Sequence, residues 1–379
     1  MQRSFLLMSA LCLLAAGSLV SCGPKVDPNE IVIGEYGSLT GSDATFGQSN
    51  HEGVMMAVDE INAAGGVQGK TLRDISLDDE GKPEEAALAV TKLITEDHAQ
   101  VVIGEVASSR SLAAAPICQQ HQVPMISPSS TNVQVTQVGD YIFRMCFIDP
   151  FQGQVMADFA RGKLKARTAA IFRDQKSDYS EGLADAFVKR FKAKGGVIVT
   201  DQSYVAGDID FKSQLTTIRG KKPDVIFVPG YYTEVGLIAQ QARELGIRVP
   251  LLGGDGWDSS KLFEIGGAAL NGCYFSNHYS SQSTDPRVMD FVKKYQDRYH
   301  HTPDALATLA YDATGYLAAA LKTAKGFTGP QIRDALASLK QYDGVTGVIR
   351  LDADRNPIKP AVVLKIEDGK ASYVTTVKP

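Results

Sequence analysis

From residue 31 onward the chain alternates short runs of β-branched and apolar residues with longer stretches whose apolar positions recur every three or four residues. "EIVIGEYGSLT" reads as a strand. The segment after it, "TFGQSNHEGVMMAVDEINAAGG", places Val54, Ala57, Val58 and Ile61 at i, i+3, i+4 and i+7, which predicts a helix stopped by Gly65 and Gly66. Strand "TLRDISLDD", helix "KPEEAALAVTKLITEDH", strand "QVVIGEV", helix "RSLAAAPICQQHQ" and strand "PMISP" continue the series. After "YIFRMCFIDPFQG" a second series begins, from helix "QGQVMADFARGKLKA" and strand "RTAAIFRDQ" through strand "DVIFVPGYY" to strand "VPLLGGDG" and helix "SSKLFEIGGAAL". The C-terminal part predicts two long helices, "DPRVMDFVKKYQDRY" and "PDALATLAYDATGYLAAALKTAK". Paired strands follow through "VTGVIRLDADRNPIKPAVVLKIEDGKASYVTTV", with a turn at Asp354–Pro357.

Regular strand–helix alternation builds parallel, doubly wound sheets, because parallel neighbours need a crossover segment. Two such series in 379 residues are too much chain for one core and predict two α/β units. No proline-rich linker separates them, so they are expected to be close-packed and hinged.

The first residues follow a different pattern. One positive charge in "MQRS" precedes "FLLMSALCLLAAGSLV", an uncharged apolar run that is long enough for a signal-peptide core and short for a membrane span. It closes on Leu19-Val20-Ser21-Cys22, which resembles a bacterial lipobox. That resemblance implies a lipoprotein signal peptide at 1–21, acylation of Cys22 and a tether at 22–30. Multiple acyl chains would make a stable anchor. The expected location is periplasmic or otherwise extracytoplasmic, on a membrane.

Charge removes several function classes. With 39 basic and 43 acidic residues, a net charge of −4 and no basic block, nothing calls for nucleic acid or an anionic lipid surface. Setting aside Cys12 and Cys22 leaves Cys118, Cys146 and Cys273, so at most one disulfide can form. A Cys118–Cys146 bridge and buried free thiols both remain open. The six histidines are scattered, and His300-His301 read as surface residues, so no metal or cofactor is expected.

Two strand ends carry hydroxyl clusters: Ser108 and Ser109 after "VVIGEV", and Ser129, Ser130 and Thr131 after "PMIS". Ligands of open parallel sheets lie beyond the carboxyl ends of strands, near the free N–H groups of helix N-termini. Helix capping would explain any one of these serines. Two clusters on successive strand ends point instead to a cradle for an anionic group. Arg110, one residue further on, is expected at solvent or an interdomain contact. No G-x-S-x-G, Ser-x-x-Lys, H-E-x-x-H, C-x-x-C, G-x-G-x-x-G or phosphate loop accompanies the clusters, which argues against an enzyme.

The second unit supplies a complementary set. Asp255 lies between glycines in "GGDGW", where backbone can approach a ligand closely. Tyr231, Tyr232 and Trp257 stand at neighbouring strand ends, as does Tyr179. Hydroxyls on one side and a lone carboxylate with aromatics on the other describe a zwitterion site.

Over nearly all of residues 31–360 the chain resembles the leucine/isoleucine/valine-binding protein family of ABC importers. "IVIGEYGSLTGSDATFGQ", "AVDEINAAGGVQGK", "VVIGEVASS", "MISPSSTN", "IFRMCFIDPFQG", "YSEGLADAF", "VPGYYTEVG" and "GDGW" carry the likeness in order. It implies a type I periplasmic binding protein, an α/β fold of two doubly wound parallel-sheet lobes joined by a three-strand hinge. Lobe one would be 31–147 and 278–354, and lobe two 148–277 and 355–379. The family's carboxylate-binding serine falls on Ser108, and its hydroxyl pair on Ser129 and Thr131. The acid that pairs with the ligand ammonium falls on Asp255, aromatic walls on Phe46, Tyr179 and Tyr231, and a side-chain pocket position on Leu306. Trp257 stands where the family has a small residue, and Phe46 where it has a tyrosine. Gly81 and Ala107 replace its first-lobe disulfide. The resemblance implies a monomeric, non-catalytic carrier that captures an apolar L-amino acid and hands it to an ABC permease. A sensor of the same fold acting with a receptor, or a binder of a small amide or aromatic carboxylate, are the alternatives.

Overall fold

The computed structural model describes residues 27–379; the expected signal peptide, Cys22 and most of the tether lie outside the described residues. The chain begins β1 (Glu30–Gly37), α1 (Ala44–Ala63), β2 (Thr71–Asp78), α2 (Pro83–Thr95), β3 (Val101–Ile103), α3 (Ser108–His121), β4 (Met125–Ser127), α4 (Gln134–Gln137) and β5 (Ile142–Arg144). It continues α5 (Asp149–Gly162), β6 (Thr168–Asp174), α6 (Asp178–Ala193), β7 (Val197–Tyr204), α7 (Lys212–Lys221), β8 (Val225–Phe227), α8 (Tyr232–Glu244), β9 (Leu251–Gly253) and α9 (Ser260–Gly266). The remainder is β10 (Tyr274–Asn277), α10 (Pro286–Tyr299), α11 (Ala305–Leu321), α12 (Gly329–Ser338), β11 (Tyr342–Gly344), β12 (Gly347–Ile349), β13 (Ala361–Glu367) and β14 (Lys370–Val377).

The first lobe is built on a five-stranded sheet, β2-β1-β3-β4-β5, in which every pairing is parallel. Period-two alternation along β1 sends Ile31 and Ile33 to a core shared with Val54 and Val58 of α1 and Leu317 of α11. Val32 faces the opposite side, toward Val90 and Leu93 of α2 and Ala114 of α3. Both faces of the sheet are therefore buried, as an all-parallel sheet requires. Gly53 allows α1 to pack closely on α11, because a Cβ there would lie 2.1 Å from the Ala307 carbonyl oxygen.

The second sheet runs β14-β13-β10-β9-β8-β6-β7. Its β6–β10 strands pair in parallel, whereas β13 and β14 join one edge as an antiparallel hairpin. The sequence pattern predicts paired strands at the chain end but not their place on this sheet. It also leaves out α12, although Pro330 in the first turn and a Gln331 side chain accepting from the Thr328 N–H at 3.2 Å mark its start.

The chain crosses between the sheets three times, after β5, after β10 and before β13. Lys359, buried on the third crossing, donates to the Met145 carbonyl on the first at 3.5 Å and to Thr346 Oγ1 at 2.5 Å. Burial lowers its pKa to about 8, against the pull of Asp312. Cys118, Cys146 and Cys273 are all free and buried.

Candidate ligand-binding cleft

The two hydroxyl clusters lie at the carboxyl ends of β3 and β4, and the structure sorts them by task. Ser127, Ser130 and Ser111 all donate toward one backbone carbonyl, that of Glu105, at 2.8, 3.0 and 3.4 Å. These three settle a buried loop backbone that has no strand partner. Capping is not the role of Ser108 either, since Ala107 is the N-cap residue of α3. Ser108 Oγ accepts from the Asn132 N–H at 3.2 Å, tying the two clusters together. That leaves Ser129 Oγ, buried and without a hydrogen-bond partner among the described residues, and Thr131 Oγ1, buried beside the Asp149 carboxyl. An unpaired buried hydroxyl is costly, so Ser129 marks where a polar ligand group would be held.

Across the cleft, a 3-10 turn (Asp255–Trp257) follows β9 and presents Asp255. Tyr179 donates to Asp255 Oδ1 at 3.0 Å, and His278 Nε2 lies 2.9 Å from Oδ2. Gln152 fixes the turn, its Oε1 accepting from the Asp255 N–H at 2.8 Å and from Ser276 Oγ at 2.9 Å. His278 is fully buried and stacks on Phe147 at 3.8 Å between centroids. Burial lowers its pKa, outweighing the Asp255 carboxylate, so the ring is neutral and donates Nε2–H. Nearby Asp149 is pushed up to about 8, by burial first; the Thr131 hydroxyl opposes this and the Asp255 charge adds to it.

Between these walls lies a small pocket of about 10 Å³, room for little more than one water molecule with the lobes together, lined by Val106, Ser129, Tyr179, Tyr231, Asp255, Gly256 and Leu306. Tyr179 and Tyr231 stack at 5.2 Å, and Phe46 meets Tyr231 edge-on at 5.4 Å. Phe46, Val106 and Leu306 of the first lobe share a core cluster with second-lobe residues. Hydrogen bonds also span the lobes, from Asp178 N to Ser109 Oγ at 3.0 Å, from Ala305 N to Asp258 Oδ2 at 2.7 Å, and between Thr45 and Ser259 hydroxyls at 2.9 Å. The lobes are shut.

Of the expected ligand residues, Phe46, Ser108, Thr131 and Trp257 do not line the pocket, and Arg110 and His278 also depart from expectation. Trp257 does not line the cavity; it is buried in the second-lobe core, donates to the Val228 carbonyl at 3.0 Å and stacks on Phe275. Arg110 is not at solvent. It is buried at 4 % exposure, with Nε 3.0 Å from Glu105 Oε1 and Nη1 2.9 Å from Asp43 Oδ2, all within the first lobe. Ser38 and Asp79 complete this charged cluster, and burial followed by the Glu105 charge lifts Asp79 to about 7. His278 was not anticipated at all, because it stands on a crossover segment with no motif around it.

Comparison with known proteins identifies the family. Residues 30–371 match the model of a family described as periplasmic binding protein. An amino acid binding protein of Pseudomonas aeruginosa is 31% identical over 78% of this chain and 79% of its own. The branched-chain amino acid binding protein LivJ of Streptococcus pneumoniae, solved with isoleucine, is 37% identical with a TM-score of 0.88, over 92% of this chain and 100% of that one. The leucine-binding protein LivK of Thermotoga maritima gives 36% and 0.88, over 92% and 99%. The chain belongs to the periplasmic binding protein family, in its leucine/isoleucine/valine-binding branch.

Proposed function

We propose that this protein is a lipid-anchored carrier that captures an apolar L-amino acid between its lobes and delivers it to an ABC permease. The observation that carries this reading is the meeting, in one small pocket between the lobes, of the unpartnered Ser129 hydroxyl with the Asp255 carboxylate. A ligand carboxylate suits hydroxyls and the N-terminus of α3, and a ligand ammonium suits Asp255. Tyr231 and Leu306, with Phe46 edge-on to Tyr231, would flank the ligand's apolar side chain. Ser108 contributes by holding the Asn132 backbone, and Tyr179 by orienting Asp255. The lobes would be 31–147 with 278–354 and 148–277 with 355–379, hinging on three crossovers, and closure would follow from tighter ligand binding to the shut state. The relatives named amino acid binders support the ligand class. No turnover is expected of such a site.

A second reading rests on one observation: both Asp255 oxygens already accept hydrogen bonds. A small amide or aromatic carboxylate without an amine would then suit the cavity. Thermal unfolding with a panel of amino acids, amides and aromatic acids separates the two, because a ligand stabilises the form it binds by mass action. Stabilisation by leucine, isoleucine or valine alone supports the first; stabilisation only by amine-free acids supports the second. Anchoring at Cys22 is tested by Cys22→Ala, which should release the protein from the membrane fraction.

A further inference from the structure

We propose that Glu35, His51 and Asp74 form a site for a divalent transition-metal ion of the zinc class, between α1 and the β1–β2 edge of the first sheet. One ligand atom from each lies within 4.8 Å of the other two. His51 Nδ1 is already 2.7 Å from Glu35 Oε2, and Glu35 is almost wholly buried. Zinc holds such atoms at about 2.0–2.2 Å, so a rotamer adjustment of the half-exposed His51 ring closes the set around an ion. One imidazole with two carboxylates favours zinc-like ions over magnesium or calcium, which take all-oxygen shells.

A buried amide points independently to a missing partner. Asn50, 1 % exposed, turns its side chain into the cluster, donating Nδ2–H to Glu35 Oε1 at 2.9 Å. Its Oδ1, and Asp74 Oδ1, are buried with no partner among the described residues. A dication would satisfy both carboxyls and the imidazole at once. The sequence hides the set because its members come from β1, α1 and β2 rather than from a spaced motif. Phe46 of the cleft lies on the same helix as His51, so the ion would brace a helix that shapes the ligand cavity.

The test is calorimetric titration of the purified protein with ZnCl2, MgCl2 and CaCl2, with Asp74→Asn, His51→Gln and His301→Gln variants. Asp74→Asn is nearly isosteric, and an apoprotein melting temperature close to that of the wild type guards against misfolding. The proposal expects one saturable zinc site per chain. Affinity should fall at least tenfold in Asp74→Asn and His51→Gln and hold in His301→Gln, and magnesium or calcium should give no heat of binding. Absence of zinc binding, equal binding by Asp74→Asn and His51→Gln, or loss only in His301→Gln would overturn it.

Discussion

His278 Nε2 lies 2.9 Å from Asp255 Oδ2, and neither side chain reaches solvent. His278 opens the second crossover between the lobes, while Asp255 faces the cavity. The bond thus joins a hinge segment directly to the group assigned to the ligand amine.

The pH dependence of stability follows from this pair. Burial depresses His278, so its folded pKa lies below its unfolded value near 6.5. Its contribution is present above the unfolded pKa and is lost as pH falls toward the folded one, at up to about 1.4 kcal/mol per pH unit. Urea unfolding between pH 7 and 5 should therefore show a decline for the wild type that is shallower in His278→Gln. An identical slope in both would remove the histidine from the account.

Replacing Asp255 with alanine should leave a ligand ammonium buried and unpaired. Truncating one side of a buried charge pair costs about 3–5 kcal/mol. Amino acid affinity should fall about 10²–10³-fold, read by titration calorimetry on the folded variant, whose ligand-free melting temperature should also drop because Tyr179 and His278 lose their acceptor.

Gly256 tests the shape of the cavity. A Cβ there would lie 2.8 Å from Tyr231 Cδ1, 2.9 Å from the Gly230 carbonyl oxygen and 3.1 Å from Tyr179 Cε1. Overpacking of this kind costs about 1–3 kcal/mol. Gly256→Ala should weaken ligand binding at least tenfold by displacing the tyrosine pair, measured as a dissociation constant.

Arg110 and Trp257 should behave as structural residues. Arg110→Met strands Glu105 and Asp43 in a buried site and should destabilise the protein by about 3–5 kcal/mol in urea unfolding. Trp257→Phe loses an indole hydrogen bond and core volume and should cost roughly 1–3 kcal/mol. Ligand affinity of the folded Trp257→Phe variant should stay within a few-fold of wild type.

Much of the architecture was legible because period-two strands and period-3.6 helices alternate clearly, as in β1 and α1. The chain end was legible only through the family resemblance, which assigns 355–379 to lobe two, since the alternation in β13 and β14 fits any half-covered hairpin and does not itself say which sheet receives it. Within the site, Ser129, Tyr179, Tyr231, Asp255 and Leu306 come together on the cavity wall, each from a strand end or helix start where sequence position implies exposure to the cleft. Trp257 escaped the same logic: its neighbour Asp255 points into the cavity while the 3-10 turn rotates the indole into the core. Arg110 and His278 were illegible because their partners, Asp43 and Asp255, meet them only through tertiary packing. The serine clusters were ambiguous for another reason. Hydroxyls that settle the Glu105 carbonyl and hydroxyls left free for a ligand are the same residue type side by side.

The most direct test of the central claim compares a branched-chain amino acid with its own amine-free analogue. Calorimetric titration of the ligand-free protein with L-leucine and with 4-methylpentanoate isolates the ammonium that Asp255 is assigned to hold. The account predicts that the amino acid binds about 10²–10³-fold more tightly. Equal or tighter binding of the amine-free acid would contradict it.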